Sequence, residues 1–331
     1  MGYYKIISHE GTGYPLNLEA VGPISGIKNV GIWEESCPID QIWSVATLGN
    51  NQEIKTINNL SYMINANTNT WNCNVNTKNE DTSVNFEKVS TGIYYIRLKS
   101  NLSKYLTADG TKSGSNVSWA GLSTTTAGKK AQKWKMISVQ LPTVYTRVEE
   151  GYDTLGDTQM EVNARYIYNY LSKKSFTKKA ICGILGNMES ESTINPAVWQ
   201  KMNNTDLGYG LVQWSSGQAQ TFLDWAKKEG IITRANPDNI NALAYSNPAK
   251  LMDAELEFLI VSMNTAGNWY KPADNQSKYG TTATLTAKQY PKATEEDVGT
   301  LARILCGHYE RPNKPNMTER VNNAEKWYKF L

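Results

Sequence analysis

Two spacings of apolar residues divide this chain. Up to about Val139, apolar and polar residues alternate in short runs, the period of a strand with one buried face. From about Met160 onward apolar residues recur every three or four positions, the period of a helix with one buried stripe. The stretch between, Gln140 to Asp157, follows neither period and is punctuated by Pro142, Gly151 and Gly156. It predicts a multidomain chain in which a linker over 141–157 joins an all-β domain, 1–140, to a mainly α domain, 158–331.

The β half repeats itself. Three blocks each open on an alternating strand (Tyr4–Ile7, Glu53–Ile57, Tyr94–Leu98), continue with a second (Leu16–Ala20, Tyr62–Ala66, Tyr105–Ala108) and add a third (Val30–Trp33, Cys73–Val75, Val117–Trp119). Each closes near an aromatic residue, Trp43, Phe86 or Trp134, spaced 43 and 48 positions apart. Three units of four strands predict a β-trefoil whose pseudo-threefold axis buries the closing aromatics.

In the α half, helices are predicted over Met160–Leu171, with Val162, Tyr166, Ile167 and Tyr170 on one face, over Gly217–Lys228, with Phe222, Trp225 and Ala226 inward, and over Ala254–Ser262. Another starts from a Thr294 cap with Asp297 three residues on, and carries Val298, Leu301, Ala302, Leu305 and Tyr309 before Pro312 stops it. The most informative segment is Thr177 to Trp214. Thr177 caps a helix whose Ile181, Ile184, Leu185 and Met188 form a core-facing stripe. This helix should stop near Glu191, because Asn195 precedes Pro196 and the residue before a proline is pushed out of the helical region. A carboxyl group held at the end of a mostly buried helix loses hydration of its charged form, so its pKa rises toward the range useful to a general acid. Enzymes that cleave sugars need such an acid to protonate the glycosidic oxygen. Glu189 and Glu191 compete for the role. At roughly 100° per residue they flank the stripe on opposite sides, Glu191 slightly nearer its centre.

Composition narrows the chemistry. Nineteen Tyr and ten Trp stand against five Phe, an aromatic set whose hydrogen-bonding tips suit sugar rings as well as cores. The net charge of +3 comes without a basic tract, so no nucleic-acid partner is expected. The two histidines, His9 and His308, fall one in each half, which leaves no ligand cluster for a zinc amidase; no metal or other cofactor is expected. Cys306 and His308 are two apart on a helix and point to different sides, so a thiol nucleophile would have to pair Cys182 with His308, and the competing reading makes His308 structural. Cys37, Cys73, Cys182 and Cys306 are too sparse for a disulfide framework and are expected as reduced thiols. The run Met1 to Lys5 opens no apolar stretch of signal-peptide length, and no run of about twenty apolar residues follows, so neither a signal peptide nor membrane insertion is expected.

Glu191-Ser192 at a helix end, followed about twenty residues later by Gly210-Leu211-Val212-Gln213, resembles the Glu-Ser and Gly-Leu-x-Gln pair of goose-type lysozymes and lytic transglycosylases. The fuller run from Gly186-Asn187-Met188 to Asn195-Pro196, with Gly208 to Trp214 and Tyr309-Glu310-Arg311-Pro312, resembles the phage tail lysozyme family more closely, from about Met160 to the end. The resemblance implies a lysozyme-like domain that cuts the MurNAc-GlcNAc β-1,4 bond of peptidoglycan glycan strands, with Glu191, the glutamate of Ser-Glu-Ser, as the acid. It also implies that Ser192, Gln213 and Tyr309 hold the substrate or the reacting atoms. Trp199 and Trp214 either line the glycan groove or pack the core. A second carboxylate would decide the mechanism. Asp206, just before Gly208, is best placed by sequence; Glu310 beside Arg311 reads as a paired ion; a single glutamate with a positioned water or the substrate's acetamido group is the third option. Lytic transglycosylase chemistry also needs only one acid, and a wall-binding protein that keeps the fold without activity is the non-enzymatic alternative.

The Gln-x-Trp element, present at Gln41 and Gln132 and degraded in the middle block, makes the β half resemble a ricin-type lectin trefoil. A sugar pocket of that family combines an aspartate just after the second strand, an aromatic platform, and an Asn-Gln pair before the last strand. The residues that answer here are Trp33, Asp40 and Gln41 in the first block and Asp109, Trp119 and Gln132 in the third, while Asn17 and Thr107 stand at the expected aspartate positions. The resemblance implies cell-wall carbohydrate as the partner of the β domain. Abundant Asn, Lys, Ile and Tyr point to an AT-rich genome and a low-GC Gram-positive target. Without a signal peptide, release by lysis or a holin, or delivery on a phage particle, is the expected route, whether as endolysin, tail-associated lysozyme or lytic bacteriocin.

Overall fold

A computed structural model describes residues 2–9, 13–20, 22–35, 38–151 and 154–331; Cys37 lies outside the described residues. The chain divides into two compact units, Met1–Pro142 and Thr143–Leu331.

The first unit is a β-trefoil. Its blocks are β1 (Gly2–Ser8), β2 (Leu16–Leu18), β3 (Lys28–Ile32), α1 (Pro38–Gln41) and β4 (Trp43–Val45); then β5 (Gln52–Glu53) and β6 (Lys55–Thr56), two halves of one extended run, with β7 (Tyr62–Asn67), β8 (Asn72–Thr77) and β9 (Ser83–Ser90); then β10 (Ile93–Leu98), β11 (Lys104–Ala108), β12 (Ser115–Gly121), α2 (Thr126–Ala131) and β13 (Lys133–Ser138). First and last strands close a ring: β1 pairs with β4 and β13, β4 with β6, β5 with β9, and β10 with both β9 and β13. The middle strands form the hairpins β2–β3, β7–β8 and β11–β12. The third strands meet in a triangle with threefold register, Asn116 opposite Gly31, Asn29 opposite Asn74, and Asn72 opposite Ser118.

At that triangle Asn29, Asn72 and Asn116 close a cyclic ring of side-chain amide hydrogen bonds, each donating to the next at 2.8 to 3.1 Å. The ring supplies partners to polar groups where three strands converge. Below it, Trp43 and Trp134 are fully buried and donate their indole N–H groups to the Leu16 and Leu106 carbonyls at 3.0 and 2.9 Å, and Phe86 takes the third position without a donor.

The second unit begins earlier than the aperiodic stretch predicts. Val144 and Tyr145 are buried, the Thr146 hydroxyl donates to the Ala244 carbonyl at 2.8 Å, and β14 (Glu149–Glu150) pairs in parallel with β15 (Val198–Trp199). Backbone without a period still docks when its apolar side chains and amides find partners, so the expected linker over 141–157 is corrected from Thr143 onward. Around it stand α3 (Asp157–Lys173), α4 (Lys178–Ser192), α5 (Gln218–Lys228), α6 (Pro237–Ser246), α7 (Pro248–Met263), α8 (Asn275–Tyr279), α9 (Val298–Leu305), a π-helical turn Cys306–Glu310, and α10 (Met317–Phe330). Among the described residues no helix is long and apolar enough to cross a membrane.

The α4 helix is the hub, packed against α3, α9 and α10, and its residues Ala180 to Met188 are all buried. Thr177 caps it as expected, its hydroxyl accepting from the Ala180 amide at 3.2 Å. One expectation shifts, and one helix comes unannounced. The cap of α9 is Asp297, which accepts from the Thr300 amide at 2.8 Å; the Thr294 hydroxyl instead donates to Glu295. Helix α10 falls outside the predicted helices: its buried positions Arg320, Ala324 and Trp327 keep helical spacing, but an arginine and an alanine fill two of the three, so no apolar stripe marks it.

Candidate active site

Glu191 lies in the last turn of α4, which ends when Thr193 and Ile194 both adopt left-handed backbone (φ 49° and 55°). Its side chain is 15% exposed and opens on a cleft of about 540 Å³ lined also by Gln213, Trp214, Tyr309, Glu310 and Arg311. Glu189 points elsewhere, pairing with Lys326 of α10, and takes no part in the cleft lining. The two competing glutamates are thus separated by the face of α4 each occupies.

Arg320 organises the acidic side of the cleft. Gly186 lets α10 cross α4 closely, since a Cβ there would stand 2.5 Å from the Arg320 carbonyl oxygen. The guanidinium then reaches four groups: Nη2 pairs with Glu191, Nη1 donates to Glu310 Oε2 at 2.7 Å and to Asn187 Oδ1 at 2.8 Å, and Nε donates to the Pro315 carbonyl at 2.6 Å. Burial works against the guanidinium's charge, but Glu310 and Glu191 offset it and lift the Arg320 pKa above its ordinary value. Burial also pushes the Glu310 carboxyl well above the ordinary carboxylate range; Arg320 pulls it down and Glu191 pushes it further up. Its Oε1 is shielded from solvent and has no hydrogen-bond partner among the described residues.

The expected pairing of Glu310 with Arg311 is corrected. Arg311 has left-handed backbone, donates to the Asn268 carbonyl at 2.9 Å, and lays its guanidinium 4.3 Å from the Tyr270 ring centre. Adjacent residues diverge by about 100° around a helical turn, so the sequence neighbour is turned away from the carboxylate.

The opposite wall is the turn from Gly208 to Trp214. Its shape depends on Gly210, whose φ is +75° and whose Cβ would stand 2.5 Å from a Glu255 carboxyl oxygen. Glu255, on α7 and fully buried, accepts from the Leu211 amide at 2.8 Å, and burial lifts its pKa well above the ordinary range. The Ser192 hydroxyl ties the end of α4 to the same turn, 2.8 Å from the Met188 carbonyl and 2.9 Å from that of Leu211. Gln213, left-handed at φ 49°, donates to the Gly210 carbonyl at 3.0 Å, and its Oε1 has no partner among the described residues. Trp214 donates its indole N–H to the Tyr309 hydroxyl at 2.9 Å. Burial pushes the Tyr309 pKa up to about 12, which keeps its hydroxyl protonated.

The structure brings Glu191, Gln213, Trp214 and Tyr309 together on the cleft. It does not bring Ser192, Trp199 or Asp206 there. Ser192 is fully buried and structural. Trp199 is fully buried, packed 4.2 Å from the Tyr209 ring and bonded to Asn241 at 2.9 Å, which settles its two alternatives in favour of the core. Asp206 is exposed on its turn, away from the cleft lining. Arg320, Asn187 and Glu255 escape sequence reasoning. Only Asn187 leaves a trace, as an amide amid the apolar residues of α4.

In the trefoil, Trp33 is 39% exposed with its indole nitrogen 3.5 Å from Glu19 Oε1, whereas Trp119 is 1% exposed and donates to the Asn65 carbonyl. The expectation that Trp119 offers a sugar platform is corrected. Trp33 stands four positions after its ring asparagine and Trp119 three, and in a strand one step moves a side chain to the opposite face. Gln41 donates to the Glu34 carbonyl and Gln132 to the Gly121 carbonyl, both at 2.8 Å, and Asp40 accepts from Asn58 at 3.2 Å. These three residues are buried, the two glutamines bonding back to chain that precedes the closing strands and Asp40 to chain that follows. Asp109 is exposed and accepts from Asn116 at 3.0 Å and from Ser118.

Residues 162–331 match the phage tail lysozyme family. Morphogenesis protein 1 of Bacillus phage B103 is 39% identical over 175 residues, 52% of this chain and 40% of that protein. The chain therefore spans less than half the length of that curated relative. Solved structures similar to 42% of the chain include the designed threefold symmetric protein ThreeFoil (19% identity, TM-score 0.36, all of that chain) and the C-half of the earthworm R-type lectin in complex with GalNAc (16% identity, TM-score 0.33, all of that chain).

Proposed function

We propose, on the premise that this chain belongs to the phage tail lysozyme family, that its second unit degrades peptidoglycan by cutting the MurNAc-GlcNAc β-1,4 bond with Glu191 as general acid. The observation that carries the reading is the convergence of Glu191, Gln213 and Tyr309, from three separate motifs, on one cleft. Glu191 gives its proton to the bridging oxygen while the bond to C1 breaks through an oxocarbenium-like transition state. Gln213 lines the cleft beside Glu191, and its carbonyl oxygen, shielded from solvent against Gly208 and without a protein partner among the described residues, reaches a sugar hydroxyl, N–H or attacking water once the side chain turns toward the cleft. The trefoil serves as a carbohydrate-binding module, with Trp33 as the exposed aromatic on which a sugar face stacks. Likeness to a morphogenesis protein of a Bacillus phage supports a phage-borne lysozyme directed at a Gram-positive wall.

Digestion of purified peptidoglycan by the full chain and by Glu191→Gln and Glu189→Gln, read by mass spectrometry, tests this. The native chain and Glu189→Gln release glycan fragments, and Glu191→Gln is slower by about 10²- to 10⁴-fold. Reducing ends identify a hydrolase, anhydro-muramic ends a transglycosylase. No fragments from the native chain, or full activity in Glu191→Gln, overturns the reading.

A further inference from the structure

The two carboxylates on Arg320 use different nitrogens of one guanidinium, Nη2 for Glu191 and Nη1 for Glu310. With all three groups ionised the cluster carries a net negative charge whose Glu310 end is shielded from solvent, where an uncompensated charge is expensive. One proton makes it neutral. The bare Oε1 of Glu310 is a place for that proton, because a shielded carboxylate oxygen without a donor is least stable when charged. The groups that face Glu310 are Arg320 from α10, Glu191 from α4, Cys306 and Tyr309 from its own turn, and Tyr290 from the short helical turn Tyr290–Lys292; burial raises the pKa of this cysteine and of both tyrosines, so none of the three is charged near neutrality.

We propose that Glu310 sets the protonation of Glu191: the two carboxylates, both held by Arg320 and both lining the cleft, have one proton between them through exchange with cleft water, and Glu310 carries the negative charge when Glu191 presents the proton to the glycosidic oxygen. This rests on the reading of Glu191 as the acid. The proton passes from Glu191 to the bridging oxygen, which keeps the electron pair of the broken bond to C1. Water then bonds C1 through its oxygen, and the proton it sheds returns to the carboxylate pair. A sugar hydroxyl attacking in place of water returns its proton the same way. Glu310 acts through Glu191 and Arg320, so it is a positioning residue rather than one that touches the reacting atoms.

The test is the pH profile of peptidoglycan cleavage by the full chain, by Glu310→Gln and by Glu310→Asp. In Glu310→Gln the whole charge of Arg320 falls on Glu191. The alkaline limb of the profile then moves to lower pH by about one unit or more, activity at neutral pH drops roughly tenfold per unit, and activity returns in acid. Glu310→Asp keeps the limb near its native place. A loss equal at every pH, or no change, overturns the proposal. Carbon-13 NMR titration of the glutamate carboxyls in the native chain needs no variant: the Glu191 and Glu310 signals must respond together, and independent titration overturns the shared proton. An active Glu191→Gln defeats the acid assignment itself, whereas an inactive Glu191→Gln beside an unmoved limb in Glu310→Gln defeats only the sharing.

Discussion

Arg320 is paired with the carboxylate of Glu191 across 129 positions of chain, from the last helix of the second unit to the end of its central one. The acidic wall of the cleft is therefore complete only when α10 has docked on α4. With Glu191 as the proposed acid, stability and activity are linked through one guanidinium.

Replacing Arg320 with Met leaves Glu191 and Glu310 facing each other without their cation. Breaking a buried ion pair from one side costs about 3–5 kcal/mol, so the urea midpoint should fall sharply. Arg320→Lys keeps a positive charge but not the fork that reaches Glu191, Glu310 and Pro315 together, and should recover only part of the loss. Denaturation of Arg320→Met within about 0.5 kcal/mol of native would contradict this.

Gly210→Ala places a methyl group against the Glu255 carboxyl at a backbone angle of +75°. The strain is on the order of 1–3 kcal/mol or more, and relief moves the turn that carries Gln213. Thermal melting should shift down and peptidoglycan cleavage should fall, although no reacting group has been altered. A variant with native melting temperature and rate would show that the turn tolerates a side chain.

Stability should decline with rising pH on account of Glu255. Burial holds its folded-state pKa well above the ordinary 4.5, so the folded chain keeps a proton that the unfolded chain has released. From about 4.5 upward, until the folded-state group ionises, each pH unit removes up to about 1.4 kcal/mol. Glu255→Gln abolishes the titration while keeping an acceptor for the Leu211 amide. Guanidinium denaturation at about pH 5 and about pH 8 should show a smaller decline in the variant than in the native chain; equal declines would exclude Glu255 as the cause.

The two tryptophans of the trefoil should separate binding from folding. Trp33→Ala changes an exposed side chain and should alter stability by no more than about 0.5 kcal/mol while weakening retention of the full chain on purified walls. Trp119→Ala empties a core site and should cost about 3–5 kcal/mol. Unchanged wall retention in Trp33→Ala removes the aromatic platform from the binding reading.

Much of this was legible along the chain. The Thr177 cap, the apolar stripe of α4 and its stop before Pro196 rest on interactions within a few residues of one another, and the structure has them where the pattern places them. The threefold recurrence of strands likewise implied the trefoil, since a repeated pattern of alternation folds into a repeated unit. The ring of Asn29, Asn72 and Asn116 was present in the sequence as a recurrence of asparagine, but alternation of apolar residues does not register polar partners.

Local periodicity, caps and chain breakers thus determined most of the elements, the two-part architecture and the placement of Glu191 at a helix end, because each depends on neighbours in sequence. Tertiary structure alone decided that Arg320 serves Glu191 and Glu310, that Glu255 supports the Gly210 turn, and that Trp119 faces inward while Trp33 faces out. Those relationships depend on which helix crosses α4 and on the register in which distant strands meet. The buried face of α10 keeps helical spacing but holds an arginine and an alanine beside one tryptophan, which an apolar pattern does not announce, and a strand reverses its outward face with a shift of a single residue.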